Sequence, residues 1–293
     1  MKIFNKEINS RSLNLFVAGC VHYGSRLCDL KKFKSDLNNA VKNNCRILLL
    51  GDIIDAVFHR DPRYSPSELE DKYSGCSNAI DAVINDLAEF LFPYADNIDM
   101  ISTGNHEDEL QKRYSTNLIS RLVERINTMN GKNSINAGSF MNYMIYTFCI
   151  DGRKKDYRVL AFHGKGGNAE VTRGIIDIAR IREAGWIYDL MVYAHKHKDI
   201  STASKFRIPY YLPSGSYIED INTRETQVGT YKRNIVVMDE QDDNLANWEE
   251  RKMFSDSSDG GKHIYIKLIR RYGGKAKNGS DIRYSEFETK VLL

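Results

Sequence analysis

The chain has 293 residues, with 42 Lys or Arg against 39 Asp or Glu, which gives a formal net charge of +3. This balance excludes a polycation that binds nucleic acid through charge alone. Its 42% hydrophobic and 28% charged residues are typical of a soluble globular protein, and the length suits one α/β enzyme. No apolar run is long enough to span a membrane, and five cysteines without C-x-x-C spacing indicate reduced thiols, so we expect a cytoplasmic protein.

The first half of the chain predicts alternating strands and helices. Apolar runs at Leu15–Gly19 and Cys45–Leu50 indicate buried strands, and helical spacing over Asp29–Asn43 joins them into a βαβ unit. A third strand is predicted at Ile98–Thr103. Further helices are predicted from Asn78 to Pro93 and from Ser115, as N-cap, to Gly131.

The second half predicts mainly strands, interrupted by one helix at Glu170–Ala184. A Gly/Ser-rich stretch at 256–261 separates a domain over residues 1–255 from a C-terminal basic β extension over 256–293. From Arg251 onward, ten Lys or Arg face five Asp or Glu, which suits either phosphate contacts or an ordinary solvated surface. The predicted strands are Met141–Ile150, Tyr157–His163, Leu190–Ala194, Tyr210–Leu212, Asn234–Met238 and, in the extension, His263–Leu268.

Polar residues follow directly after five of these apolar runs. The carboxyl ends of strands are where open α/β sheets bind ligands, and core packing does not produce such a series. Five of the seven histidines fall at these positions, which predicts one metal site assembled from five loops. The segments are Cys20-Val21-His22, Gly51-Asp52-Ile53-Ile54-Asp55, Gly104-Asn105-His106-Glu107, His163-Gly164 and Ala194-His195-Lys196-His197.

This series resembles the calcineurin-like metallophosphoesterase superfamily, whose blocks run D-x-H, G-D-x-x-D, G-N-H-[ED], H and G-H-x-H in the same order. The match covers roughly the first two-thirds of the chain, and Cys20 and Ala194 depart from the pattern at an Asp and a Gly. The resemblance implies a four-layer αββα sandwich of two mixed β-sheets flanked by helices. It also implies two divalent metal ions, here Mn, Zn or Fe.

By the same resemblance, the bridging ligand is Asp52 and a metal-held hydroxide attacks phosphorus. His106, paired with Asp55, would be the catalytic proton donor, and Glu107 would support the loop or the following helix N-terminus. Cys20 is either a thiolate ligand, favouring zinc or iron, or a small apolar residue beside a weakened first site. The implied ligands are Cys20, His22, Asp52 and His197 for the first metal, and Asp52, Asn105, His163 and His195 for the second.

Substrate contacts are expected from Arg60 and Arg63, in a long loop after the second block, and from Tyr23. Those arginines equally suit pairing with acidic residues of the same loop. Ala56 stands after Asp55, where phosphoprotein phosphatases of the family carry Arg, so we expect a phosphodiesterase or nuclease acting on nucleic acid, DNA or RNA, or on nucleotides. The alternatives are a phosphomonoesterase and a non-catalytic module that binds nucleic acid or protein. The family's nucleases often dimerise, so a homodimer stays open.

Overall fold

Two six-stranded β-sheets form the framework of the protein in a computed structural model, which describes residues 1–56, 69–164, 175–212, 215–233, 260–275 and 281–292. The predicted strand at Asn234–Met238 and the predicted substrate residues Arg60 and Arg63 lie outside these ranges. The strands, in chain order, are β1 (Lys2–Ile8), β2 (Ser12–Ala18), β3 (Arg46–Leu50), β4 (Ile98–Ser102), β5 (Asn136–Ala137), β6 (Met141–Ile150), β7 (Arg153–Phe162), β8 (Leu190–Tyr193), β9 (Ile200–Leu212), β10 (Gly215–Gln227), β11 (Lys262–Lys275) and β12 (Asp281–Leu292).

Both sheets are mixed. Sheet I has the order β12-β11-β2-β3-β4-β5, with β2 to β5 parallel and β11 antiparallel to both its neighbours. Sheet II has the order β1-β6-β7-β8-β10-β9, with parallel pairing of β7 to β8 and of β8 to β10. The C-terminal strand β11 thus pairs directly with β2 inside sheet I.

The two sheets pack face to face, and their central strands carry apolar side chains on both faces. In β2, Leu15 and Val17 point into a core shared with sheet II, whereas Phe16 and Ala18 point to the helices outside sheet I. Full burial of each such aliphatic side chain contributes about 1.5–3 kcal/mol. Ile178 of the helix outside sheet II packs on that sheet. The layer order is therefore helix, sheet, sheet, helix, which confirms the predicted fold class.

The helices begin and end largely where their capping signals lie. Asp29 accepts the Lys32 N–H at the start of the first helix, and Gly131 ends another in the left-handed conformation. Ser115 was predicted wrongly as an N-cap: it is the left-handed C-cap of a preceding helix, and Asn117 caps the next one. The helices are α1 (Leu30–Lys42), α2 (Asp71–Ser74), α3 (Ala79–Leu91), α4 (Asn105–Tyr114), α5 (Leu118–Asn130) and α6 (Ile175–Glu183), with a 3₁₀ turn at Phe92–Tyr94.

Several elements were not predicted with these bounds, among them α2, β1, β5, β9, β10 and β12. β1 lies at an edge of sheet II and is mostly exposed, so its sequence has few of the apolar residues that mark a buried strand. β9, β10 and β12 are long and rich in polar residues, and only the end of β9 had been predicted. None of the helices in the described ranges is both long and apolar enough to cross a membrane.

Candidate metal centre

Five loops meet at one end of the sandwich, where β2, β3, β4, β7 and β8 reach their carboxyl ends. Short backbone bonds connect neighbouring loops: the Cys20 N–H donates to the Gly51 carbonyl over 3.0 Å, and the Ala194 N–H donates to the His163 carbonyl over 3.1 Å. The loops belong to both sheets, so the site is built across the sandwich. They carry Cys20, His22, Asp52, Asp55, Asn105, His106, His163, His195 and His197.

The backbone of these loops is unusually strained. Five of the nine non-glycine residues with positive φ among the described residues are predicted metal ligands. The left-handed conformation costs an L-residue about 1–2 kcal/mol, and such residues concentrate at functional sites. The clustering therefore indicates a function for these loops. The five are Cys20 (φ 51°), His22 (φ 55°), Asp52 (φ 50°), His195 (φ 72°) and His197 (φ 54°).

Two glycines let the second and third loops touch. A methyl group on Gly51 would collide with the backbone of Gly104, and one on Gly104 would collide with the amide and carboxylate of Asp52. Gly51 also has φ of +77°, which favours glycine. The glycines of these two motifs are thus required by one close backbone contact, which places Asp52 against the start of α4.

The buried carboxylate of Glu107 fixes the same contact. Its Oε1 accepts the N–H groups of Ile53 and Ile54 over 2.7 and 3.0 Å. Its Oε2 accepts those of Asp52 and Gly104 over 3.0 and 2.8 Å. Since one side chain satisfies four backbone donors, it holds both loops in register. Sequence analysis assigned Glu107 a supporting role, and the structure shows which groups it supports.

The donor atoms form three compact groups. Within each group, one ligand atom per residue lies within 4.8 Å of the others, which is close enough for a shared metal ion. The third group joins His106 and Asp55, predicted for catalysis, to the ligand His22. The groups are Cys20, His22 and His197; Cys20, Asp52 and His163; and His22, Asp55 and His106.

Two histidines are oriented as metal ligands usually are. His22 donates its Nδ1–H to Asp55 Oδ1 over 2.9 Å, and its buried Nε2 has no hydrogen-bond partner among the described residues. His163 donates its Nδ1–H to the Leu50 carbonyl over 2.6 Å, and its Nε2 lies 3.1 Å from Asp52 Oδ2 and 3.0 Å from Asn105 Oδ1. A metal-bound imidazole commonly donates its other N–H in this way. The residues present therefore fit a divalent metal centre.

Electrostatics in the cluster favour positive charge beside Asp52. Burial favours the neutral form of Asp52, but His163 and His106 hold the pKa of its carboxyl well below the usual value. Burial likewise opposes charge on His163, yet Asp52 raises the pKa of that imidazole. The pKa of His22 and that of His197 are both lowered, chiefly by burial, so these two rings favour the neutral form that binds metals.

Asp55 lies at the centre of a second network. Its Oδ1 is 2.9 Å from His22 Nδ1, 3.7 Å from Lys232 Nζ and 3.8 Å from His106 Nδ1. Burial favours the neutral carboxyl, but Lys232 and the His22 bond hold the pKa of Asp55 far below its usual value. His106 thus lies beside Asp55, as predicted, and its Nδ1–H donates to the main-chain carbonyl of that residue.

Residues 230–232 complete the site and were missed by sequence analysis. Thr230 Oγ1 and the Tyr231 N–H donate to the Cys20 carbonyl over 2.9 and 3.0 Å, and Lys232 is 7% exposed beside Asp55. The segment follows β10 and joins sheet II to the first loop of sheet I. The segment reads Thr-Tyr-Lys and contains no His, Asp or Cys, so its sequence gave no sign of a place in the site.

Tyr23 lies away from the donor groups. It is 5% exposed and belongs to the core outside sheet I, where its ring lies 6.1 Å from that of Phe90. Its main chain forms a bridge to Ile54, so it supports the loop that carries Asp55. The structure thus does not bring the predicted substrate contact of Tyr23 to the cluster. Ala194 packs against Gly19: a Cβ added to Gly19 would lie 2.9 Å from the Cβ of Ala194.

Comparisons with solved structures gave neighbours of low sequence identity, among them the two described here. No family model matches the chain, and no curated protein matches it. It is similar to a conserved uncharacterized protein from Streptococcus pneumoniae described as a predicted phosphoesterase, with 8% identity and a TM-score of 0.34, over 94% of this chain and 99% of that one. It is also similar to a metallophosphoesterase from Sphaerobacter thermophilus, with 12% identity and a TM-score of 0.30, over 75% and 78% of the two chains. Scores this low leave the function to be argued from the site residues.

Proposed function

We propose that this protein is a metal-dependent phosphoesterase, a hydrolase of phosphate esters that uses two divalent metal ions. The observation that carries the proposal is the orientation of His22 and His163. Each donates Nδ1–H to a fixed acceptor and leaves Nε2 at a buried cluster with Cys20 and Asp52. Strained backbone at five of the ligand positions supports the same reading.

Metals bound there would supply two functions: they would lower the pKa of a water molecule and polarise the phosphate. The remaining chemistry falls to the chain itself. His106 uses Nδ1–H on the Asp55 carbonyl, so its Nε2 is the atom that would give a proton to the leaving oxygen. Asp55 orients His22, and Lys232 keeps Asp55 ionised. Glu107 keeps Asp52 in place through the backbone.

For the substrate we propose a phosphodiester in nucleic acid, DNA or RNA, or in a nucleotide. The sequence favours it because Ala56 follows Asp55 in place of the arginine of phosphoprotein phosphatases, and because Arg60 and Arg63 follow shortly after Asp55 in the sequence. A phosphomonoester is the alternative substrate. A non-catalytic module that binds nucleic acid or protein is the alternative from another class, and association into a homodimer would be compatible with either.

Metal content and hydrolysis test the proposal together. The chain is purified without chelator, its metal is measured by elemental analysis, and hydrolysis of bis(p-nitrophenyl) phosphate and p-nitrophenyl phosphate is followed with added Mn²⁺, Zn²⁺ or Fe²⁺. We expect about two ions per chain and faster hydrolysis of the diester than of the monoester. His106→Asn should lower kcat by about 10²–10⁴-fold, because it removes the proposed proton donor. The metal should be retained, because His106 belongs to neither of the two groups that contain Cys20.

His263→Asn is the matched control, since His263 contacts Phe16 and Cys45 rather than the cluster, and it should hydrolyse like wild type. Hydrolysis of the monoester alone would replace the phosphodiester with the alternative substrate. One ion or none, without hydrolysis of either probe, would reject the enzyme and favour the binding module. Oligonucleotides of DNA and RNA then separate nuclease from nucleotide specificity.

A further inference from the structure

We propose that Cys20 is a thiolate ligand shared by both metal positions, so that the centre selects thiophilic ions such as Zn²⁺ or Fe²⁺ over Mn²⁺ and Mg²⁺. This inference rests on the proposed function for the presence of two metals. It goes beyond that function in assigning the bridging position to sulfur and in naming the class of ion. The resemblance to known metallophosphoesterases placed Cys20 at the first metal alone.

The placement of the donor atoms carries the argument. Among the described residues, Cys20 is the one member common to the group with His22 and His197 and the group with Asp52 and His163. All three ligand atoms of each group lie within 4.8 Å of one another. A single Sγ is therefore within reach of an imidazole pair on one side and of a carboxylate and an imidazole on the other.

The sulfur atom is held in place from several directions. Cys20 is fully buried, its carbonyl accepts bonds from Thr230 and Tyr231, and its Sγ accepts the His195 N–H over 3.2 Å. An N–H directed at sulfur stabilises negative charge on it, as in metal-thiolate sites. The contact also ties Sγ to the loop that carries His195 and His197.

A purely apolar role for Cys20 explains these features less well. The residue borders the core between the sheets, and a buried free cysteine often packs as a small hydrophobe. Packing alone does not require a left-handed backbone, which costs about 1–2 kcal/mol at a residue other than glycine. In that conformation Sγ lies within 4.8 Å of the ligand atoms of both groups. Ligation accounts for the strain, and packing does not.

The donor set then determines the type of ion. One position has sulfur with two imidazoles, and the other has sulfur with a carboxylate and an imidazole. Thiolate and imidazole donors suit zinc and iron, whereas Mg²⁺ and Mn²⁺ prefer oxygen donors. A Zn–S bond is about 2.3 Å long, which is compatible with donor atoms this close to one another. Replacing the sulfur by a carboxylate should therefore shift the preference toward Mn²⁺.

Cobalt provides a direct readout that does not depend on turnover. The full chain is stripped with chelator and titrated with Co²⁺, and the sulfur-to-cobalt charge-transfer absorption is followed in the near ultraviolet. For a shared thiolate, we expect the band to grow over two equivalents of Co²⁺. Cys20→Ser should abolish the band and weaken binding of both equivalents at least about 10-fold. Cys45→Ser, at a buried cysteine outside the cluster, should keep the wild-type titration.

Each alternative result has a defined meaning. A band that saturates after one equivalent, while a second Co²⁺ binds without it, would overturn sharing. Two bound Co²⁺ ions without any band would overturn ligation by Cys20, and these wild-type measurements do not depend on whether a variant folds. Failure to bind Co²⁺ would overturn the inference and the proposed function together. A wild-type band that grows over two equivalents of Co²⁺, with no hydrolysis by wild type or by Cys20→Asp, would support the shared thiolate and reject only the proposed enzymatic function.

Discussion

Replacement of Glu107 by glutamine tests whether one side chain holds the two central loops together. In the native structure, each carboxylate oxygen accepts two backbone N–H groups, and the residue is 1% exposed. Glu107→Gln changes almost no volume, but it replaces one oxygen by an NH₂ group. Two backbone donors then face another donor in a buried place.

The expected loss of stability follows from these two donors. A buried donor without an acceptor costs about 1–3 kcal/mol, so Glu107→Gln should lower the free energy of unfolding by about 2–6 kcal/mol. Because a domain is stable by only about 5–15 kcal/mol, this is a large effect. Glu109→Gln is the matched control. Glu109 lies on the same helix with a side chain 41% exposed, where its ion pair with Lys112 contributes about 0–1 kcal/mol.

Urea unfolding of the metal-free protein measures both variants, and cobalt titration measures the consequence for the site. We expect the urea midpoint to fall for Glu107→Gln and to stay near wild type for Glu109→Gln. Metal affinity should fall for Glu107→Gln alone, because each of the two carboxylate oxygens holds backbone N–H groups of the loop that carries the predicted ligand Asp52. Equal midpoints for the two variants would refute the reasoning on stability. Unchanged metal affinity in a destabilised Glu107→Gln would refute the assigned role in positioning Asp52.

Two further predictions concern charge around the donor groups. Lys232→Met removes the ammonium 3.7 Å from Asp55 and should lower kcat/KM by about 10–100-fold, and Lys232→Arg should recover part of the loss. The control is Lys34→Met at an exposed position of α1, which should have no effect. Equal rates for the two methionine variants would exclude a role of Lys232 in catalysis. The lowered pKa values of His22 and His197 mean that the unfolded chain binds protons before the folded chain does, so metal-free stability should fall as pH drops below about 6.5, with a limiting slope of about 1.4 kcal/mol per pH unit for each ring. Urea midpoints at neutral and mildly acidic pH check this, and the slope should be shallower in His22→Asn/His197→Asn; an unchanged slope would contradict it.

The parallel strands β2, β3 and β4 of sheet I were predictable because they are apolar and buried on both faces. Runs such as Leu48-Leu49-Leu50 are apolar at every position, so they mark a strand without any alternation. β10 gave no such signal, since buried Glu225 lies in it. That carboxylate is satisfied by Arg182, Tyr188 and Thr202, which come from distant parts of the chain. A polar strand stabilised by tertiary partners cannot be recognised from its own residues.

The predicted ligands converge in the structure because their positions follow from strand order. Residues directly after parallel strands meet at one edge, so motif and element together located the cluster. What sequence could not supply is the pairing within it. Asp55 was expected to hold His106; in the structure its carboxylate hydrogen-bonds His22 and lies 3.8 Å from His106 Nδ1, which donates to the Asp55 main-chain carbonyl. Lys232 was missed for the same reason: its contact with Asp55 joins distant parts of the chain and cannot be inferred from the residues next to it.

Hydrogen bonds from neighbouring segments hold the strained loops of the site in place. Left-handed backbone at Cys20, His22 and Asp52 would relax if the loops were free, and each relaxation would turn a donor atom out of the cluster. The supports oppose this through main-chain groups: Glu107 holds four amides, and Thr230 with Tyr231 holds the Cys20 carbonyl. Because these supporting bonds are made by Glu107 and by main-chain groups, the chain itself holds the side chains of the predicted ligands in place.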